Sequence, residues 1–108
     1  MCEFQSLYYN DDGYVVRCKD CGYYQLAFGT MMLSLSGMDY ETLCKVVKKK
    51  HGEIDFAASE HTRNVVVATP SQGLYMLLTR EESNRLHDIL EAADSEEKAR
   101  EIMNLFYS

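Results

Sequence analysis

Leu33-Ser34-Leu35-Ser36-Gly37-Met38-Asp39-Tyr40-Glu41-Thr42-Leu43-Cys44-Lys45-Val46-Val47 changes its apolar period part-way along. Up to Leu35 the apolar residues alternate with serine, as in a strand with one buried face. From Tyr40 they recur at three and four residues (Tyr40, Leu43, Val46, Val47), as on one stripe of a helix. Ser36 and Asp39 sit at the junction with the spacing of a capping box, hydroxyl and carboxylate each serving the other's backbone N–H. A strand feeding directly into a capped helix implies an α+β fold.

Working outward, Tyr24, Leu26 and Phe28 alternate with Tyr23, Gln25 and Ala27 over 22–28. After Gly29-Thr30 a fourth strand follows, with Met31, Leu33 and Leu35 on one face and Ser34 and Ser36 on the other. Upstream, 3–9 and 14–18 are rich in Tyr, Val and Phe and flank Asn10-Asp11-Asp12-Gly13, whose side chains favour a tight turn. The first helix is expected to end near Lys50, with Gly52 as its stop and Lys48-Lys49-Lys50 complementing its C-terminal dipole. Residues 51–62 read as irregular.

The chain then repeats itself. Val65-Val66-Val67, the turn Pro70-Ser71-Gln72-Gly73 and a strand over 74–78 lead to Thr79-Arg80-Glu81-Glu82, a second capping box. Leu86, Ile89, Leu90 and Ala93 follow on a helical stripe. Leu35, Ser36, Leu43, Val46 and Val47 thus have counterparts 43 residues later in Leu78, Thr79, Leu86, Ile89 and Leu90. A duplicated β-β-α unit accounts for the match, as does the general likeness of capped helices that follow strands. A further start at Asp94-Ser95-Glu96-Glu97 predicts a separate last helix with Ala99, Ile102, Met103 and Phe106 as its apolar stripe. The expected architecture is an antiparallel sheet of about six strands: an N-terminal hairpin, two β-β-α units and a C-terminal helix. At 108 residues this is one domain, 1–108.

Composition narrows the function classes. Apolar residues make up 46% and charged residues 26%, as in ordinary globular proteins. A formal charge of −6 disfavours nucleic acid, whose backbone recruits clustered Lys and Arg. No apolar run approaches the ~20 residues that span a bilayer, and Met1-Cys2-Glu3-Phe4 lacks the basic and apolar regions of a secretory signal. The expectation is a cytoplasmic protein with its four cysteines reduced or bound to metal.

Cys18-Lys19-Asp20-Cys21-Gly22 is the most distinctive chemical feature. Two thiolates at this spacing, with glycine after the second, suit a knuckle whose amides point at sulfur, as in half of a tetrahedral zinc site. A uniform hairpin register closed by Asn10 and Gly13 sets Cys2 opposite Cys21, so Cys2, Cys18 and Cys21 are the candidate ligands and zinc the candidate ion. A slip of one residue would move Cys2 to the other face. Cys44 reads as a small buried residue of the first helix, and His51, His61 and His87, isolated in sequence, read as surface or helix-end residues rather than ligands. A redox dithiol would place its first Cys at a helix N-terminus, whereas Gly22–Phe28 reads as strand.

No phosphate-binding glycine loop and no Gly-x-Ser-x-Gly elbow occurs. Glu60-His61 and His87-Asp88 are adjacent pairs whose side chains diverge on any regular element. Glu81, Glu82, Glu91, Glu96, Glu97 and Glu101 read as solvated faces and first turns of the last helices. Tyr8, Tyr9, Tyr14, Tyr23 and Tyr24 cannot all face one side, so some cover a sheet face or meet another chain. Val65–Val67 reads as a strand buried on both faces, with a partner subunit as a source of the second cover.

Met1-Cys2-Glu3-Phe4, Cys18-x-x-Cys21 and Tyr24-Gln25-Leu26-Ala27-Phe28-Gly29 together resemble a family of short uncharacterised bacterial proteins, a domain of unknown function. The resemblance covers roughly the first 45 residues and implies only a bacterial, cytoplasmic setting. The first functional expectation is a non-enzymatic interaction or regulatory module, self-associating or bound to another protein, with the cysteines stapling a sheet end. The alternatives are a small metal- or thiol-dependent enzyme using the same cysteines, and a zinc-ribbon-like nucleic-acid binder disfavoured by charge.

Overall fold

The computed structural model describes residues 3–53, 62–63 and 65–107. Its elements run β1 (Phe4–Asn10), β2 (Gly13–Cys18), β3 (Tyr24–Phe28), β4 (Met31–Leu35), α1 (Gly37–Glu53), β5 (Val65–Ala68), β6 (Tyr75–Leu78) and α2 (Arg80–Tyr107). The fold is α+β, and all pairings are antiparallel. The strands divide into a four-stranded sheet ordered β1-β2-β3-β4 and a two-stranded ribbon β5-β6. The chain clusters into two compact units, Met1–Ser36 with Ile89–Ser108, and Gly37–Asp88. Helix α2 contributes residues 80–88 to the second unit and the rest to the first.

In the four-stranded sheet the alternation is as the sequence implies. Val15 faces Leu26, which faces Leu33, and all three are buried. Tyr24 and Phe28 lie in the same inward row of β3, and Gln25 and Ala27 are half-buried. The first turn uses the chemistry of Asn10, whose Oδ1 accepts the N–H groups of Asp12 (2.9 Å) and Gly13 (3.1 Å). Gly13 is required for space, because a methyl there would run into the carbonyl of Ala27.

The hairpin register is not uniform. Asn10↔Gly13, Tyr9↔Tyr14 and Tyr8↔Val15 pair as expected, but Ser6 then meets Val16, Gln5 meets Arg17 and Phe4 meets Cys18. Leu7 is the extra residue of a β-bulge, and its side chain is buried. The register that set Cys2 opposite Cys21 therefore does not hold at the open end of the hairpin.

The two β-β-α segments share one burial pattern. Leu33, Leu35, Leu43 and Val47 are buried, and so are Met76, Leu78, Leu86 and Leu90 at the corresponding places. Helix α1 passes Lys50 and includes His51 and Gly52 before ending at Glu53. The expected irregular segment falls mostly on 54–61, outside the described residues, as does His61.

Three expectations are corrected. First, β5 is covered on one side only: Val67 is fully buried while Val66 is 43% exposed, because a two-stranded ribbon is packed on one face here. Second, no break occurs at Asp94. Asp94–Lys98 (2.9 Å) and Glu96–Arg100 (2.8 Å) are i,i+4 pairs that carry the helix through the supposed start signal. Third, the last apolar stripe is not core: Ile102, Met103 and Phe106 are 55–80% exposed, and Ala99 is exposed as well.

The second capping box forms in full. Thr79 Oγ1 accepts the Glu82 N–H (3.0 Å), and Glu82 Oε1 accepts the Thr79 N–H (2.9 Å) and lies 3.3 Å from Arg63 Nε. The Thr79 amide, then Arg63, hold the Glu82 carboxyl below its ordinary pKa. Its contribution to stability is present above the carboxylate's unfolded pKa and fades as pH falls through the lower folded value. Glu82→Gln is expected to lower the melting temperature at neutral pH, and the difference should vanish in acid. Thr79→Ala should cost about 1 kcal/mol by urea titration.

Candidate functional site

Two features stand out on the four-stranded sheet and its helix: the cysteine turn at the end of β2, and a polar groove beside it. Cys18, the last residue of β2, is fully buried, and Cys21 is exposed. The Cys21 N–H donates to Cys18 Sγ (3.4 Å), so an amide does point at sulfur as the knuckle predicts. The turn is closed by Gly22 N–H to Cys18 O (3.0 Å) and Cys18 N–H to Tyr23 O (2.7 Å). Gly22 has φ +78°, a conformation that side-chain-bearing residues rarely adopt. Two contacts tie the turn to the start of β1: Lys19 N–H to Glu3 O (2.9 Å) and Glu3 N–H to Asp20 Oδ2 (3.0 Å).

The structure thus brings two of the three candidate ligands, Cys18 and Cys21, to one turn. Cys2 lies outside the described residues. Among the described residues no three His, Cys, Asp or Glu side chains gather as a metal cluster. Cys44 is half-buried on α1. The first thiol ends a strand, and the second precedes β3, which places neither at a helix N-terminus.

The groove was not legible in the sequence. It has a volume of about 210 Å³ and is lined by sheet residues Gln5, Leu7 and Arg17 and by helix residues that include Glu97, Arg100 and Glu101. Gln5 and Arg17 are cross-strand partners, brought level by the bulge at Leu7. Glu97, Arg100 and Glu101 share one side of α2 by their spacing of three and four.

Tyr24 organises this wall. Its hydroxyl lies 2.9 and 2.8 Å from the two carboxylate oxygens of Glu97, a residue 73 positions away. Arg17 completes the group, with Nε 3.8 Å from Glu97 and its guanidinium 5.7 Å from the centre of the Tyr24 ring. Arg100 adds a second tie by donating from Nη2 to the carbonyl of Ser6 (3.0 Å). Burial, then the bond to Glu97 and its charge, push the Tyr24 phenol up to about 12. At neutral pH Tyr24 is therefore a proton donor to Glu97 and not a base. The lining supplies carboxylate, guanidinium and amide groups, so the groove offers hydrogen bonds and paired charge.

A family model, described as a family of unknown function (DUF6686), matches residues 1–107. The chain belongs to DUF6686. Membership extends the resemblance seen in the first 45 residues to nearly the whole chain, so the groove and the ribbon both fall within the DUF6686 region. No curated protein and no solved structure matches the chain significantly. No helix among the described residues is long and apolar enough to cross a membrane.

In sequence Glu97 reads as part of a solvated face, because helical spacing alone cannot reveal a partner on a distant strand. Its only sequence signal is the buried row of β3, which places a hydroxyl-bearing Tyr24 where an apolar residue would suffice. Tyr24→Phe is expected to cost roughly 1.5–3 kcal/mol, the range for a hydrogen bond to a charged group. The raised phenol predicts a stability contribution that is whole below pH 10 and lost as pH rises through about 12. Absorbance at alkaline pH should show a late-titrating tyrosine component that Glu97→Gln brings back toward the ordinary value.

Proposed function

We propose that this DUF6686 chain is a non-enzymatic cytoplasmic interaction module that pairs with a second copy of itself through the outer face of the β5-β6 ribbon. One observation carries the reading. Val66 faces Leu77 and Ala68 faces Tyr75 across the ribbon, and Val66, Tyr75 and Leu77 are 43–57% exposed. Leu74, beside them in sequence, is 40% exposed. Contiguous apolar surface of this kind is characteristic of interfaces. A ribbon of two short strands is also marginal without cover on its second face.

Charge leaves the ribbon face as the place where two copies can meet. The chain carries −6, so two copies repel over most of their surfaces, yet these four cross-strand positions carry no charge. The same balance argues against nucleic acid as the partner. In this reading the cysteine turn is structural. Its Sγ-directed amide and positive-φ glycine suit a thiolate knuckle, and zinc is the ion Cys18 and Cys21 would take.

Native mass spectrometry of chain purified without chelator is expected to give a dimer with one zinc per subunit. Leu77→Lys should yield a folded monomer that keeps its zinc, whereas Cys21→Ser should lose zinc and remain dimeric. A wild-type monomer at micromolar concentration would refute self-association. A metal-free wild-type chain would refute the zinc assignment, independently of subunit count.

A further inference from the structure

His51 and His87 read as isolated in sequence, but the fold stacks their rings. The centroids are 3.8 Å apart and the planes 6° from parallel. His51 is exposed in the last turn of α1, and His87, on α2, has a side chain 19% exposed. Contrary to the divergence expected of adjacent helical residues, Asp88 Oδ1 lies 3.5 Å from His87 Nδ1. All three residues belong to the second compact unit, remote in sequence from the cysteine turn.

We infer that His51 and His87 form a low-affinity site for a borderline divalent transition metal, Zn²⁺ foremost. Tetrahedral binding at about 2.0–2.1 Å sets two imidazole nitrogens roughly 3.4 Å apart with the rings fanned out from the ion, so the ring centres must move apart from their present 3.8 Å. The stacked planes do not converge on one point, so binding requires the rings to tilt. The exposed His51 side chain can turn without disturbing the core, and no helix has to move. Asp88 is placed to orient the His87 ring, in the manner of carboxylates that support metal-bound histidine. Two protein ligands leave the remaining positions to water, which makes the site weak and exchangeable.

The surrounding charge selects the class of ion. Lys48, Lys49 and Lys50 immediately precede His51, and the carboxylate of Asp88 lies beside His87. A hard cation such as Ca²⁺ needs an oxygen cage that these groups do not supply. A metal that bonds to imidazole nitrogen does not depend on net negative charge, and Zn²⁺, Ni²⁺ and Cu²⁺ are such metals. Once bound, the ion would clasp the C-terminal turn of α1 to α2.

The test follows the histidine ring resonances of the full-length labelled chain by NMR as ZnCl₂ or CaCl₂ is added. Residue-resolved signals separate this site from zinc taken up by cysteine. The His51 and His87 signals are expected to move together with Zn²⁺ and to stay fixed with Ca²⁺. His51→Phe keeps a stacking ring but removes the nitrogens. It should weaken the Zn²⁺ response at His87 by about tenfold or more while the fold persists by circular dichroism. An unchanged His87 response in His51→Phe, or no response of either ring to millimolar Zn²⁺ in the wild type, would overturn the inference.

Discussion

The hydrogen bond from Tyr24 to Glu97 is the constraint on which the first compact unit depends. It joins the third strand to the C-terminal half of α2 across 73 residues of sequence, and it does so with a charged acceptor that has left bulk water only in part. Arg17 balances the carboxylate, so the group is a donor, an acceptor and a counter-ion and not a lone half-buried charge. The Arg100 tie to the Ser6 carbonyl fixes the same helix to β1. Without these contacts, α2 would meet the sheet largely through non-directional apolar contact, which sets proximity but not rotation. The groove walls are a by-product of that fixed rotation.

Much of this architecture could be read from the chain because its local signals agree with one another. The alternation of Tyr24, Leu26 and Phe28, the Asn10 turn and the Thr79-Glu82 box each specify local geometry, and each is found as written. The misreadings share a cause. Val65–Val67 reads as covered on both faces because three valines in a row carry no information about what lies outside them. Asp94–Glu97 resembled a helix start because a cap and a mid-helix ion-pair ladder use the same residue types. Ile102, Met103 and Phe106 have helical spacing, but spacing says which residues share a stripe, not whether anything covers it.

The functional chemistry was less legible than the fold for a related reason. The cysteine turn is local, so its spacing gave it away. The Tyr24–Glu97–Arg17 group and the His51–His87 stack are assembled from separate elements, and nothing near Glu97 or His51 in sequence names the partner. Reading Glu97 as solvated and His87 as isolated was correct about the neighbourhood in the chain and wrong about the neighbourhood in space.

The extra residue at Leu7 gives the N-terminal strand a phase of its own. Beyond it toward the N-terminus, odd and even positions exchange the faces that an unbroken hairpin would give them, which is how Gln5 comes level with Arg17 on the groove side. Chain length between the strand's start and the bulge is therefore as informative as side-chain identity. Deleting one residue there would leave the composition of the strand almost intact and yet present a different set of side chains to α2. Within DUF6686, spacing across this segment should tolerate changes in steps of two more readily than in steps of one.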